Sequence, residues 1–182
     1  SIAEKMRELL LNANRSWDIR QIEAPTMIPN ELVNKEYSGD DIYINQDFTL
    51  KPETTSSSYE YARHIIEHQE TSPPLCVWQA SKSYRRENDQ VTANVRLKEF
   101  YQQEFQCIYT EDTKKDYYDF SEDLRQFLSW LLNTDTRVVP SDRIPSYSSV
   151  TMDIEAKTPH KWLEVCSISK RHDVPFNWNN KK

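Results

Sequence analysis

The chain has 182 residues and a net charge of −6, with 37% hydrophobic and 12% aromatic residues. This length and hydrophobic content predict one globular domain over residues 1–182, and the negative charge excludes a generic nucleic-acid-binding protein. The only glycine of the sequence is Gly39, which excludes the glycine-rich phosphate loops of the Walker and Rossmann types.

The cysteine spacing and the lack of a long apolar run indicate the cellular compartment of the protein. Cys76, Cys107 and Cys166 are widely spaced and form no C-x-x-C motif, so they predict reduced thiols rather than a disulfide framework or a zinc site. No apolar run approaches the roughly 18 residues of a membrane span. We therefore expect a cytoplasmic protein with no membrane partner.

The first third of the chain combines one helix with extended segments. Residues 2–14 place apolar side chains on one face at helical spacing, which predicts an amphipathic helix. Residues 19–28 are typical of an extended segment, and Pro25 within it favours a sheet edge or an interface. Residues 42–50 predict a hairpin that turns at 45–47.

A second helix is predicted from about residue 58 to residue 69. Ser57 and Glu60 form a capping box ahead of an apolar periodic run. His64 and His68 lie one turn apart in this helix and would suit a shared metal ion. Because no third ligand lies nearby in the sequence, a solvated helix face is the favoured interpretation.

The most informative stretch is a predicted pair of strands. Residues 75–87 are an apolar run that ends in cations, and residues 95–109 alternate with the period of two that is typical of strands. The loop between them, residues 88–94, is rich in turn-forming residues. An antiparallel pair would place two arginines, a ring and two carboxylates at one hairpin mouth: Arg85, Glu87, Arg96, Phe100 and Glu104. Arginine side chains can donate to phosphate oxygens and an aromatic ring can stack on adenine, so this set of residues suits an ATP site. The alternative to an ATP site is a solvated hairpin with surface ion pairs.

The second half of the chain predicts another helix and two more strands. Asp119 and Glu122 form a capping box ahead of a strongly apolar helical face. The remaining segments are a connecting loop and two strands, at residues 134–149, 150–156 and 161–169. Strand pairs flanked by helices predict an α+β fold with a mostly antiparallel sheet.

Five segments carry recognisable motifs: IRQIEAP (19–25), LKPETT (50–55), WQASKSYRRE (78–87), RLKEFYQQE (96–104) and MDIEA…WLEVCSISKRHD (152–173). The first resembles the strand of motif 1, the second resembles LRPETA, and the next two resemble the halves of motif 2. The last resembles the stretch before motif 3. In this order they resemble the catalytic core of class II aminoacyl-tRNA synthetases, above all the glycyl type, with seryl- and prolyl-like features near the end.

The resemblance implies how ATP would be bound. Arg85 would hold the α-phosphate and stabilise the charge that builds as an amino-acid carboxylate attacks it, and Arg96 would contact the outer phosphates. These two arginines are the expected catalytic residues. Glu87 would reach the adenine end of ATP, and Phe100 would stack on the adenine ring.

The resemblance also implies a metal ion and an amino-acid pocket. Glu164, with Ser167 beside it, would hold a divalent cation that bridges the phosphates, and these oxygen ligands suit Mg²⁺. Glu104 and Glu53 would face the α-ammonium group of a small amino acid, and Ser167 is expected to contact the amino acid as well.

Each of these roles has a purely structural alternative. Phe100 would serve equally well as a core residue, and Glu164 would then only pair with a neighbouring cation such as Lys161. For Arg85 and Glu104 the site interpretation is favoured, because charges that point inward from sheet strands are costly without a purpose.

The chain also departs from the family pattern. Motif 3, a strand and helix with a phosphate-binding arginine, is expected after residue 173, but the sequence ends soon after that residue without it and contains no anticodon-binding domain. Family glycines are replaced at Asp18, Ser56, Ser57, Ser81 and Ser167. Because backbone that approaches a ligand closely favours glycine, we expect a truncated core with a reshaped pocket.

Two functions stay open at this point. The first is an enzyme of the aminoacyl-tRNA ligase type, which activates a small amino acid with ATP and transfers it to tRNA or another acceptor. The second is a catalytically inactive synthetase paralogue that binds tRNA or a protein as an accessory module. A homodimer is the expected assembly, and a further interpretation makes the chain one part of a longer or split synthetase.

Overall fold

The computed structural model describes residues 2–13, 17–87, 91, 96–110 and 117–172 of the chain. In chain order the elements are α1 (Ile2–Ala13), β1 (Asp18–Gln21), β2 (Met27–Ile28), a 3₁₀ turn (Asn30–Leu32), β3 (Thr49–Leu50), α2 (Thr55–Glu67), β4 (Leu75–Tyr84), β5 (Glu99–Ile108), α3 (Tyr117–Leu132), β6 (Thr136–Pro140), β7 (Ser148–Lys157) and β8 (Trp162–Arg171). Helix α1 confirms the first predicted helix, and residue 14, the last residue of that prediction, lies outside the described residues.

The residues form two compact units. The first unit consists of Ser1–Arg7 and Ser16–Thr113, and the second of Glu8–Arg15 and Lys114–Lys182. The single domain predicted over residues 1–182 remains a prediction, which one cooperative unfolding transition would support.

The first unit is built on a three-stranded sheet with the order β1-β4-β5. Strands β4 and β5 pair antiparallel over their whole length, from Leu75 opposite Ile108 to Tyr84 opposite Glu99, which confirms the predicted strand pair. Strand β1 pairs with β4 in parallel, an arrangement that the sequence did not indicate. Because β4 is the central strand, it begins with a run that is buried on both faces of the sheet, from Leu75 to Trp78.

Helix α2 packs on the β4–β5 pair and begins earlier than predicted. Ala62 is fully buried on the helix. The predicted capping box is wrong, because Ser57 already lies inside the helix, and the flanking residue Thr54 makes no side-chain capping hydrogen bond. The first turn is instead tied to the sheet by Thr55, whose hydroxyl donates to Glu104 on β5 at 2.7 Å.

The short strands β2 and β3 pair antiparallel, and a tight turn precedes β3. The side-chain oxygen of Asn45 accepts hydrogen bonds from the backbone N–H groups of Asp47 and Phe48 at 2.8 and 2.9 Å. This geometry confirms the predicted turn. The ladder of the predicted hairpin is reduced to one bridge, between Ile44 and Thr49.

The second unit packs α3 against an antiparallel sheet with the order β6-β7-β8. Its core consists of apolar side chains from the helix and the central strand: Leu124, Phe127, Leu128, Ile154 and Ala156. Strand β6 corrects the loop predicted over residues 134–149, since Thr136–Pro140 pairs with β7 along its whole length. That strand was missed because it is short and ends in a proline.

Helix α3 does not begin at the predicted cap, and the residue that follows it is not the usual glycine. The helix begins at Tyr117, so the predicted cap Asp119 lies inside it, and Glu122 forms an ion pair with Arg125. Asn133 follows the helix with a φ of 50°, the left-handed conformation that usually calls for glycine after a helix and that asparagine tolerates.

These elements confirm the predicted α+β class with mostly antiparallel strands. The three cysteines are free thiols as predicted, and the Sγ atoms of Cys76 and Cys107 lie 3.4 Å apart across β4 and β5. Among the described residues, no helix is long and apolar enough to cross a membrane. Three predicted features fall outside the described residues, namely most of the loop 88–94, Val95 and Asp173.

Candidate active site

Arg85 lies just beyond the end of β4, where its backbone N–H donates to the Lys98 carbonyl oxygen at 3.0 Å. Its guanidinium Nε donates to the Pro52 carbonyl oxygen at 3.0 Å. The central carbon of the guanidinium lies 5.4 Å from the centre of the Tyr37 ring and 5.3 Å from that of Phe100, which is within cation–π range. Among the described residues, no acceptor takes a hydrogen bond from Nη1 or Nη2, and these are the nitrogens with which a guanidinium binds an anion.

Strands β4 and β5 supply one shared face beside this arginine. Phe100 lies opposite Ser83, and Glu104 lies opposite Gln79, so the four side chains project from the same side of the pair, which we call the site face. Phe100 is half-buried and its ring is close to Arg85. The predicted hairpin mouth therefore brings an aromatic ring, a guanidinium and a carboxylate into one region.

Glu53 lies between β3 and α2, and two donors hold its carboxylate. Asn34 Nδ2 donates to Oε1 at 3.3 Å, and the Tyr37 hydroxyl donates to Oε2 at 3.2 Å. Burial raises the pKa of Glu53, and the charge of Glu104 raises this pKa further, whereas the two hydrogen bonds and the charge of Arg85 lower it. A small cation bound between the two carboxylates would relieve their repulsion.

Glu104 accepts the hydrogen bond from Thr55 described above, and a buried ammonium group lies within its electrostatic reach. This group belongs to Lys51, which is fully buried and donates from Nζ to the Ala24 carbonyl oxygen at 2.9 Å. Burial lowers the pKa of Lys51, while the charges of Glu23 and Glu104 raise it. The carboxylate of Glu104 is thus held in place both by a hydrogen bond and by a fixed positive charge.

The other two predicted residues of motif 2 pair with each other. Arg96 Nη1 donates to Glu87 Oε2 at 2.9 Å, and the exposed fractions of the two side chains are 53% and 12%. Glu87 has a φ of 53°, in the left-handed region that costs a non-glycine residue about 1–2 kcal/mol. The sequence left a hairpin with surface ion pairs as the alternative to an ATP site. At the Arg96 end of the hairpin, the structure shows such an ion pair.

Glu164 and Ser167 lie on β8 in the second unit. The Ser167 hydroxyl donates to Asp153 Oδ1 on β7 at 2.8 Å, and Asp153 is buried. Glu164 lies opposite Glu155 next to an irregularity in the β7–β8 register and is exposed. Together these residues offer carboxylate and hydroxyl oxygens, although no group of three or more potential metal ligands converges among the described residues.

Sequence reasoning missed four polar residues of the first unit that touch the site. Asn34 and Tyr37 come from a loop without periodicity, and their contact with Glu53 spans 16 to 19 positions of the chain. Lys51 and Thr55 both lie within the LKPETT segment, so the resemblance covered these residues but did not predict their contacts. The structure brings Arg85 together with Glu53, and the functional roles of both stay predictions.

The fold and this arrangement of charges define a class II synthetase-like core. A model of the tRNA synthetase class II core domain (G, H, P, S and T) matches residues 38–177. The chain therefore belongs to this family, as its motifs predicted.

Individual relatives agree with this assignment. The glycine–tRNA ligase of Mycoplasmopsis synoviae (strain 53) is 24% identical over 98% of this chain and 41% of its own length. The glycine–tRNA ligase of Mycolicibacterium paratuberculosis (strain ATCC BAA-968 / K-10) is 27% identical over 72% of this chain and 30% of its own length. The chain thus spans less than half of the length of the curated relatives that it matches.

A solved structure supports the fold alone. The crystal structure of prolyl-tRNA synthetase from Cryptosporidium parvum, complexed with halofuginone and AMPPNP, superposes with a TM-score of 0.71 at 15% sequence identity. The match covers 91% of this chain and 36% of that structure.

Proposed function

We propose that the chain is the core of an ATP-dependent enzyme of the aminoacyl-tRNA ligase type, which activates a small amino acid as its adenylate. One observation carries the proposal: the carboxylate of Glu53 lies within electrostatic reach of both the guanidinium of Arg85 and the carboxylate of Glu104. Amino-acid activation requires a phosphate group to be held beside an α-ammonium group. This set of charges suits both, and the relatives that are named glycine–tRNA ligases favour a small amino acid.

The proposed reaction places its developing charge beside Arg85. A carboxylate oxygen of the amino acid attacks the α-phosphorus of ATP, the bond from this phosphorus to the bridging oxygen breaks, and pyrophosphate leaves. Negative charge accumulates on the α-phosphate oxygens in the transition state. Because Nε is already fixed to the Pro52 carbonyl, Nη1 and Nη2 would stabilise that charge without first being ordered.

The two carboxylates would bind the other end of the amino acid. Glu53 and Glu104 repel each other when both are ionised, and this repulsion is one reason for the raised pKa of Glu53. An α-ammonium group between them would replace repulsion by attraction and would lower that pKa. Such a pocket would recognise the α-ammonium group of the amino acid and would not require the amino acid to have a long side chain.

The remaining roles of the ATP site are part of the same proposal. Phe100 would stack on adenine from the site face, Glu87 would reach the adenine end, and Arg96 would contact the outer phosphates. Glu164 and Ser167 would help to hold Mg²⁺, since carboxylate and hydroxyl oxygens are the type of ligand that this ion prefers. When bound, Mg²⁺ would neutralise charge on the phosphates.

The acceptor and the assembly belong to the proposal as well. By analogy with the family, tRNA is the favoured acceptor and a homodimer the favoured assembly, and a cytoplasmic location fits both. Because the chain is acidic overall, tRNA would have to meet a local basic surface.

Amino-acid-dependent exchange of labelled pyrophosphate into ATP tests this proposal, because exchange requires reversible formation of an adenylate. Small amino acids are supplied one at a time with ATP and Mg²⁺. We expect exchange with one of them, and we expect Arg85→Ala to abolish it. Arg63→Ala serves as the control, since Arg63 is solvent-accessible and pairs only with Glu60 and Glu67 of its own helix among the described residues.

The outcomes separate the two candidate functions. If there is no exchange but ATP–Mg²⁺ still raises the melting temperature, the chain is a ligand-binding module without turnover. If neither effect occurs with any amino acid, the proposed ATP site is wrong.

A further inference from the structure

Tyr37 touches both halves of the proposed site. It lies in the loop between the 3₁₀ turn and β3, one residue before the segment that the family model matches. Its hydroxyl reaches the carboxylate of Glu53, and its ring lies beside the guanidinium of Arg85. One side chain therefore contacts both a carboxylate and a guanidinium of the proposed site.

The hydroxyl fixes one oxygen of a two-donor arrangement. Tyr37 donates to Glu53 Oε2 at 3.2 Å, while Asn34 donates to Oε1 at 3.3 Å. With a donor on each oxygen, the carboxylate has a defined rotation as well as a defined position. Burial and the charge of Glu53 raise the pKa of the Tyr37 hydroxyl, so this hydroxyl stays protonated, and remains a donor, throughout the working pH range.

The ring acts on the arginine by a different interaction. The Tyr37 ring centre lies 5.4 Å from the central carbon of the Arg85 guanidinium, and the Phe100 ring centre lies 5.3 Å from it. A cation–π contact of this kind restricts the position of the guanidinium, while the hydrogen bond from Nε to the Pro52 carbonyl restricts its direction. This contact needs the aromatic ring but not its hydroxyl.

We propose that Tyr37 is a positioning residue whose hydroxyl sets the amino-acid subsite through Glu53 and whose ring sets the phosphate subsite through Arg85. This inference rests on the proposed function. In addition, the hydroxyl and the ring of Tyr37 would position the two subsites separately. Removal of the hydroxyl oxygen alone should therefore affect the amino-acid subsite and not the phosphate subsite.

A pH effect follows from the same geometry. The groups that act on Glu53 are Glu104, which raises its pKa, and Arg85, Asn34 and Tyr37, which lower it. Removal of the Tyr37 hydroxyl takes away one stabilising interaction of the ionised form, so the pKa of Glu53 rises. The acid limb of the pH profile of kcat/KM for the amino acid should therefore move to higher pH.

The experiment compares Tyr37→Phe and Tyr37→Leu with the wild-type chain by pyrophosphate exchange. For Tyr37→Phe we expect the KM of the amino acid to rise about tenfold, as for loss of one hydrogen bond to a charged group, with the KM of ATP unchanged. For Tyr37→Leu we expect a loss in kcat in addition, because Arg85 loses its ring partner. Tyr43→Phe is the matched control, since the ring of Tyr43 also lies beside an arginine, Arg86.

The results distinguish failure of this inference from failure of the proposed function. A wild-type chain that shows no exchange and binds neither ligand contradicts the proposed function, and the role of Tyr37 with it. A wild-type chain that is active, with Tyr37→Phe raising both KM values equally or leaving the acid limb in place, contradicts the role of Tyr37 alone. Circular dichroism of each variant identifies any that has lost its fold, and a Tyr37→Trp variant, which keeps a ring, then tests the ring contact.

Discussion

Arg85 follows β4 and Arg96 precedes β5, so both lie at the same end of one strand pair, yet their surroundings are opposite. Arg85 is half-buried, with Nε on a backbone carbonyl and two aromatic rings beside its guanidinium. Arg96 exposes 53% of its side chain, and its described partner is the carboxylate of Glu87.

The difference separates a preorganised cation from one that can reorient. A guanidinium that is already held in place loses little entropy when a phosphate arrives, and such donors contribute most to transition states. An exposed arginine must give up its surface partner and its rotational freedom first, so its net contribution is small. We therefore expect the chemistry to depend on Arg85, with Arg96 mainly assisting the capture of ATP.

The largest expected effect is that of Arg85→Ala. Loss of a preorganised donor to the transition state should lower kcat/KM for pyrophosphate exchange by about 10²–10³-fold. Arg85→Lys should not restore activity, because one ammonium group is a point charge without the planar fork of donors. Steady-state exchange kinetics measure both variants, and a loss of less than threefold in Arg85→Ala would show that the ordered arginine has no catalytic role.

Glu53→Gln should weaken activity and strengthen the fold at the same time. Burial raises the pKa of Glu53 in the folded chain above its value in the unfolded chain. The neutral carboxyl therefore contributes fully to the free energy of unfolding below the unfolded-state pKa. This contribution is lost as the pH rises through the folded-state pKa. At neutral pH the neutral amide should therefore raise the free energy of unfolding by about 1 kcal/mol, while the KM of the amino acid rises.

Urea unfolding of both chains at pH 4 and pH 7 measures this trade-off. The stability difference between Glu53→Gln and the wild type should shrink as the pH falls, because the wild-type carboxyl is then neutral as well. An equal difference at both pH values would mean that ionisation of Glu53 is not what destabilises the site.

Arg96→Ala should produce a smaller and salt-dependent effect. We expect the KM of ATP to rise by no more than about tenfold and the free energy of unfolding to change by less than about 0.5 kcal/mol. The rise in KM should shrink as salt is added, since exposed charges are screened. Exchange assays across a salt series test this, and a loss as large as that of Arg85→Ala would remove the distinction between the two arginines.

The smallest effect is expected for Lys82→Ala. Lys82 lies on β4 on the face opposite the site face and forms an exposed ion pair with Glu99. Its removal should leave exchange within about twofold of the wild type and the melting temperature nearly unchanged. A clear loss of activity, measured beside Arg96→Ala, would show that the opposite face also takes part in function.

The strand pair was predictable because its signal is local and periodic. Alternating side chains and a polar loop marked β4 and β5, and their ladder from Leu75 to Ile108 follows that pattern. Strand β6 carried no such signal, because Thr136–Pro140 is short and its partner strand lies later in the chain. The start of α2 was misplaced because a contact between Thr55 and Glu104, rather than a local cap, ties its first turn to the sheet.

The candidate site was predictable where motifs resemble a family and not where loops supply contacts. Arg85, Phe100 and Glu104 were named from motif 2, and the structure brings Arg85 and Phe100 into contact. Tyr37 and Asn34 reach Glu53 from an irregular loop. Contacts of that kind depend on how distant segments are brought together, and neither composition nor periodicity encodes them.

Binding of ATP–Mg²⁺ by isothermal titration calorimetry tests most directly whether Arg85 is the anchor of a nucleotide site. The wild-type chain, Arg85→Ala and the control Arg63→Ala are titrated under identical conditions. We expect the wild type and Arg63→Ala to bind with the same Kd and Arg85→Ala to bind at least about tenfold more weakly. Equal binding by all three chains, or no binding by any of them, would contradict the assignment of Arg85 to ATP.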